Sequence, residues 1–248
     1  MTLPGHSPWP DFSFQRMITA MQTRINKYLA EQGYCSRREA DVLIKAGQVF
    51  VNGKRADLGD KVSDTDKVEV LRRRVKPPTG KIYLLLNKPV GVSSTADRRK
   101  KESVMNIVPT KDRLFPVGQL DVDTSGILLI TNDGDLTNKL THPRYEHESE
   151  YDVTVEKPIS DSHLNRLAEG IELDGKQTLP AHVKRLDPTR FTVVMREGSN
   201  RQIRRMCDAL GYTIVYLRRI RVMNLRLGDL SLGKYRELSN AEIAALKK

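Results

Sequence analysis

Cysteine is nearly absent from this chain. Its two cysteines, Cys35 and Cys207, stand far apart without Cys-x-x-Cys or Cys/His spacing, which argues against a disulfide framework and a zinc site. A reducing cytoplasm is the expected compartment. Long apolar runs are missing as well: no stretch approaches the roughly 20 apolar residues that a membrane-crossing helix needs. Nor does any strongly amphipathic basic helix with a bulky aromatic face stand out for a membrane surface. The histidines form no recognisable catalytic or metal pair and no Gly-rich phosphate loop appears, so neither a metal nor a cofactor is expected. Residues 1–23 lack the basic start, apolar core and small-residue cleavage site of a signal peptide. They read as a flexible extension, with Met17 and Met21 as alternative starts.

Acidic residues are outnumbered, 31 Asp and Glu against 42 Lys and Arg, and the net charge of +11 calls for a polyanionic partner, nucleic acid first. A chain of 248 residues buries a full core and is expected to divide into two domains. In residues 24–71, Ile25, Tyr28 and Leu29 fall at helical spacing up to Gly33, and Ser36 with Glu39 forms a capping box opening a second helix that Gly47 stops. Asn52-Gly53 between Val49-Phe50-Val51 and Lys54-Arg55-Ala56 is a hairpin signal, and Val68-Glu69-Val70 offers a further strand. So small a unit buries little core and is expected to display its cations: Lys27, Arg37, Arg38, Lys45, Lys54 and Arg55. A merely solvated face is the ordinary reading of such residues; contact with RNA phosphate is the functional one. Residues 72–80, basic and Pro-containing, read as an interdomain linker, leaving 81–248 as the second domain.

Residues 118–134, GQLDVDTSGILLITNDG, are the most informative stretch. Asp121, Asp123, Thr124, Ser125 and Gly126 supply turn chemistry, residues 127–130 read as a buried strand, and Asn132-Asp133-Gly134 close it with hairpin-type residues. Such a turn presents Asp121 beside an apolar wall, where partial desolvation and a nearby cation set its reactivity. The same residues match the first half of a calcium loop, but Asn132 stands where that loop needs Glu, and calcium binding is discarded. A plain Asp-rich hairpin fits the spacing equally well.

Strands are expected at 82–86, ending in Asn87-Lys88-Pro89-Val90-Gly91, and at 151–155, 181–186, 191–195, 213–217 and 222–227. Residues 93–103, carrying Arg98, Arg99, Lys100 and Lys101, read as a mobile loop. Helices are expected at 161–169, 201–210 and, behind a Ser239/Glu242 capping box, 240–247. Strands dominate and seldom alternate with helices, which predicts an α+β domain built on a mixed, mainly antiparallel sheet. On the helix at 201–210, Arg201, Arg204, Arg205 and Asp208 fall on one face and Ile203, Met206, Cys207 and Leu210 on the other. Local pairing of Arg204 and Arg205 with Asp208 is the plain reading of that face.

Together these segments resemble one family. The run at 118–134 is similar to the GRLD-x-x-T/S-G-L-L-L-x-T-N-D-G signature of the RsuA family of bacterial ribosomal RNA pseudouridine synthases. NKPVG at 87–91 matches that family's N-K-P-x-G turn, and EGSNRQIRRM its third motif. INKYLAEQGYCSRREADVLIKAGQVFVNGK resembles the alpha-L RNA-binding module, named after a small-subunit ribosomal protein. The resemblance implies a central mixed sheet, with Asp121 as catalytic carboxylate, Arg204 as its ion-pair partner and Tyr151 packing on the target base. It implies RNA contacts by Arg37 and Arg38, with Lys27, Lys54, Arg201 and Arg205 joining them, and by Gln119. This chain departs from the family at Gln119, which replaces an Arg thought to fill the gap left by the flipped base, and at Ser149, where a Lys is common.

The reaction implied is isomerisation of uridine in large-subunit ribosomal RNA, in a monomer that also acts on a transfer RNA: C1′–N1 breaks and C1′–C5 forms. Asp121 acts either as nucleophile at C1′ or as base at C2′, and the residues leave both routes open. The alternatives are a non-catalytic RNA-binding or ribosome-assembly protein, and a synthase for small-subunit or transfer RNA.

Overall fold

Ser36 opens its helix as its sequence dictates, its Oγ accepting from Glu39 N at 3.1 Å while the Glu39 carboxylate accepts from Ser36 N at 2.7 Å. The computed structural model describes residues 22–248 other than 64, 76–79 and 143–146. Most of the expected N-terminal extension, with Met17 and Met21, lies outside the described residues, as does the Pro-containing part of the expected linker. Backbone packing divides the chain into two units, Met1–Ala30 with Ser36–Val75, and Glu31–Cys35 with Lys76–Lys248.

The N-terminal elements are β1 (Thr23–Arg24), α1 (Ile25–Glu31), α2 (Arg37–Lys45), β2 (Val49–Val51), β3 (Lys54–Arg55), β4 (Lys61–Val62), β5 (Val68–Val70) and β6 (Arg73–Arg74). β1 pairs with β4, and the order β3-β2-β5-β6 makes an antiparallel sheet. Ile25, Leu29, Ala40, Ile44, Val49, Val68 and Val70 are buried, while Arg37, Arg38, Lys54 and Arg55 are exposed. The first part of the basic stretch is not a free linker. Leu71 and Arg72 both adopt left-handed backbone (φ 50 and 63), which turns the chain back so that Arg73 and Arg74 pair with β5. The Arg72 guanidinium then lies 4.4 Å over the Phe50 ring, which helps hold the turn.

The second unit holds β7 (Tyr83–Lys88), β8 (Phe115–Pro116), β9 (Ser125–Thr131), α3 (Gly134–Thr141), β10 (Ser149–Val155), α4 (Asp161–Glu169), β11 (Glu172–Leu173), β12 (Lys176–Gln177), β13 (His182–Asp187), β14 (Arg190–Met195), α5 (Gln202–Ala209), β15 (Ile214–Val222), β16 (Leu225–Arg226), β17 (Tyr235–Glu237) and α6 (Asn240–Lys247). Its sheet runs β13-β14-β10-β15-β9-β7-β17, with β16 added on β15 and β8 on β9. β15 runs parallel to β9 and the other strands of this sheet pair antiparallel, giving the expected mixed, mainly antiparallel α+β domain. Val153, Phe191, Val193 and Leu217 form a core with Leu164 and Leu167 of α4 and Ile203 and Met206 of α5. Farther along, Leu85, Ile127 and Leu129 pack with Leu136 of α3 and Leu246 of α6. Leu84, Leu86, Leu128 and Ile130 point the other way, against Val104, Met105 and Val108. Each such full burial is worth about 1.5–3 kcal/mol. β9 is therefore apolar on both faces and lies inside the sheet between β15 and β7.

Three local expectations are corrected. Asn132-Asp133-Gly134 does not close a hairpin: the Asn132 amide accepts from Ile82 N and donates to Gly80 O, and Asp133 caps α3 by accepting from Leu136 N. The strands expected at 213–217 and 222–227 begin as one nine-residue strand, β15, followed by the short β16. The loop at 93–103 is tied down rather than loose. Ser93 N donates to Glu102 O, Ser103 Oγ to Thr95 O, and the Arg98 guanidinium to the carbonyls of Met105 and Val108.

Candidate active site

The turn entering β9 is built by its own backbone and by the NKPVG turn. Asp121 O accepts from Thr124 N at 3.1 Å, and Val122 O accepts from Gly91 N at 2.7 Å. Ser94 Oγ accepts from Leu120 N and donates to Leu120 O. These bonds leave the Asp121 carboxylate about one-third exposed, with 35% of its side chain accessible.

Two arginines from the start of α5 meet this turn, in an arrangement that differs from the expected one. Arg204 engages Asp123: its Nε lies 3.3 Å from Asp123 Oδ2, and its Nη2 donates to Asp123 O at 2.9 Å. Asp121 instead has Arg201, whose Nη1 is 3.9 Å from Asp121 Oδ2 and 2.9 Å from Asp123 Oδ2. The reason lies in the backbone. Arg201 is not helical but precedes α5 in left-handed conformation (φ 50, ψ 31), which sends its side chain over both acids. Arg204, one turn into the helix and only 11% exposed, is occupied by Asp123 and the carbonyl of Ile214. A non-glycine residue in that conformation costs about 1–3 kcal/mol. The loop supporting it is braced: buried Gln202 accepts from Ser199 N and Oγ and donates to Glu197. The cationic face expected on α5 is thus divided. Arg204 is largely buried, and Arg205 pairs with Asp174 rather than with Asp208.

Beside the turn opens a cleft of about 790 Å³, within the usual range for ligand sites. Asp121, exposed Gln119, Ser149, half-buried Tyr151, Arg201 and Arg219 line it together with apolar Ile127, Leu129 and Leu217. Arg204 and Arg205 are not among its lining residues. Tyr151 on β10 and Arg219 on β15 are directly paired across the sheet, and Arg219 is matched with Gly126 on β9. The cleft floor thus spans three neighbouring strands, with Asp121 on the turn that feeds one of them. It combines a carboxylate, a phenol ring and a guanidinium with an apolar wall, a suitable set for a flat polar ring attached to a sugar.

Comparison with known proteins fits that geometry. The family model for RNA pseudouridylate synthases matches residues 82–209, and the S4 domain model matches residues 23–68. The chain belongs to the RNA pseudouridylate synthase family. This synthase is 42% identical over 234 residues to the dual-specificity RNA pseudouridine synthase RluF of Salmonella typhi, covering 94% of this chain and 81% of that protein. It is 40% identical over 233 residues to ribosomal large subunit pseudouridine synthase B of Bacillus subtilis (strain 168), covering 90% of this chain and 95% of that protein. A crystal structure of a pseudouridylate synthase matches with a TM-score of 0.67 at 30% identity, covering 90% of this chain and 99% of the other. The chain is thus an RluF-like RNA pseudouridine synthase with an N-terminal S4 module.

Sequence reasoning missed two cations of this synthase. Lys88, in the NKPVG motif, is completely buried, its Nζ donating to the carbonyls of Pro89 at 2.9 Å and Val92 at 2.8 Å. Burial pushes its amine down to about 8, against the pull of Asp121 and Asp123 and with the push of Arg219. A lysine at the end of an apolar strand was the available signal. Arg219 is 8% exposed, and finding it required knowing that 214–222 is a single strand that brings Leu217 and Arg219 to the cleft.

Proposed function

We propose that this synthase isomerises specific uridines of large-subunit ribosomal RNA, with Asp121 as the catalytic carboxylate. The observation supporting that role is Asp121 on the wall of a cleft whose floor carries Tyr151, with the Arg201 guanidinium 3.9 Å from its Oδ2. The target uridine leaves its stack, at a cost of a few kcal/mol offset by contacts to the folded RNA. Its sugar meets Asp121, which attacks C1′ or takes the C2′ proton. Tyr151 packs on the uracil and assists removal of the C5 proton after the ring has turned. In this reading Arg201 aims the Asp121 carboxylate, and Arg204 acts through Asp123 to hold the turn, so both arginines are positioning residues.

Residues 24–75, whose sheet takes in Arg73 and Arg74, are the RNA-binding domain in this reading, with Arg37, Arg38, Lys27 and Lys54 on phosphates, and 81–248 are the catalytic domain. Gln119 reaches toward the RNA as a neutral amide in place of an arginine. Large-subunit specificity is supported by the name of the Bacillus relative, and a second RNA substrate, which we take to be a transfer RNA, by the dual specificity in the name of the Salmonella one. We assign the protein to the cytoplasm as a monomer.

The test is Asp121→Asn with two assays, pseudouridine formation and RNA binding. Product should fall below detection while affinity stays within about threefold of wild type. Product from the Asn variant at the wild-type rate would refute the role, and a wild type that binds RNA but forms no product would point to a non-catalytic RNA-binding protein.

A further inference from the structure

The cleft floor holds a charge that the preceding mechanism does not use. Arg219 is more than nine-tenths buried, and its Nε donates to Ile127 O at 2.9 Å. Its terminal nitrogens make no hydrogen bond or ion pair among the described residues, unlike those of Arg190, Arg221 and Arg236, each held by carboxylates. Burying a guanidinium without a counter-charge is costly. The fold nevertheless enforces it: Gly126 lets the two backbones approach so closely that a Cβ there would lie 2.2 Å from Arg219 O. The register of β10 on β15 shifts between Glu150 and Tyr151, passing over Ile220 and aligning Tyr151 with Arg219. Cross-strand partners stand about 4.5–5.5 Å apart at Cβ, so whatever packs on the Tyr151 ring lies within reach of the Arg219 donors.

We infer that Arg219 is a catalytic residue, donating hydrogen bonds to the carbonyl oxygens of the flipped uracil and stabilising the anion it becomes when C1′–N1 breaks. The inference rests on the isomerase reading above. In that step the electron pair of the C1′–N1 bond stays on N1 and delocalises onto O2 and O4, while C1′ is taken by the Asp121 carboxylate or the C2′ proton passes to it. Arg219 transfers no proton. When C5 bonds to C1′ the ring's electrons form the new bond as the Asp121 carboxylate leaves C1′, or returns its proton to C2′; the C5 proton then leaves and N1 gains one, so atoms and charge balance. A fixed donor pair holds such a charge far better than mobile water does. Its rigidity also lets it serve O2 and O4 in turn as the ring rotates.

Arg219→Gln and Arg219→Lys, each checked for an unchanged melting temperature, separate this role from its rivals in single-turnover assays on one RNA stem-loop. The Gln variant should react on the order of 100- to 1,000-fold more slowly with RNA affinity near wild type, and Lys should fall between. On the same RNA carrying 5-fluorouridine, scored by glycosidic cleavage, fluorine itself stabilises the departing anion, and the Gln defect should shrink by about tenfold. A merely structural contribution would slow both substrates alike and overturn the inference. So would an unchanged rate with weaker binding and a shallower salt dependence, which would move Arg219 onto a backbone phosphate. If Gln alone lowers the melting temperature, the fluorouridine comparison in the Lys variant decides by the same criterion. Absence of product from the wild type would overturn the isomerase reading and this inference with it, a result distinct from a normal wild type with a silent Arg219 substitution.

Discussion

At the scale of single residues, the site depends on who faces whom across very short distances. Asp121, Tyr151 and Gln119 were legible because each sits in a motif that a chain displays openly. The pairing of Arg204 was not, because helical spacing treats Arg201 as one more helical residue, whereas its left-handed backbone redirects it onto the acids. Lys88 and Arg219 were hidden for the opposite reason, since cations in apolar strands are read as surface unless the register is known. Gly126 is the tightest point of the arrangement, with φ +111 and Arg219 O, N and C at 2.2, 2.5 and 2.8 Å from any added Cβ. Gly126→Ala should therefore destabilise the protein by roughly 2–4 kcal/mol, through backbone strain and separation of β9 from β15. Chemical denaturation would show it, and a variant as stable as the parent would mean that the two strands are not packed so closely.

At the scale of elements, helix ends were the most readable feature. The Ser36/Glu39 and Ser239/Glu242 capping boxes and the 161–169 helix were recovered because capping is local chemistry. α3 was missed because Asp-Gly also signals a hairpin, and only the tertiary grip on Asn132 and the burial of Leu136 decide for the helix. Glu242 links one such cap to the sheet end by accepting from Arg236 at 2.7 and 2.9 Å and from Ser239 N at 2.8 Å. The Arg236 bonds, aided by Ser239, hold its carboxyl down from 4.5 to about 2. With the folded value lowered, this stabilisation is complete above 4.5 and is lost as pH falls from there to about 2. The melting-temperature gap between wild type and Glu242→Gln should be constant near neutrality and close over that acid range. A gap independent of pH would show that the carboxylate charge contributes nothing.

At the scale of the molecule, a net charge of +11 alone pointed to a polyanion, and the resemblance of three motifs to one family narrowed the partner to RNA. Composition could not supply the division of labour between positions, because an exposed arginine and a buried one count alike in a sum. Exposed Arg37 and Arg38 serve attraction in this account, while Arg201, Arg204 and Arg219 serve the cleft. Affinity for substrate RNA should therefore fall steeply with salt, and Arg37→Ala with Arg38→Ala should flatten that dependence by about one unit per lost phosphate contact, at little change in single-turnover rate. An unaltered salt slope would remove these residues from the RNA contact surface.

The claim on which the rest depends is that Asp121 converts uridine in ribosomal RNA. It is tested most directly by mapping pseudouridine across total RNA from cells lacking this gene and complemented with either wild type or Asp121→Asn. The account predicts that at least one large-subunit position is pseudouridine only with the wild-type protein. Identical maps for both complementing strains would contradict it.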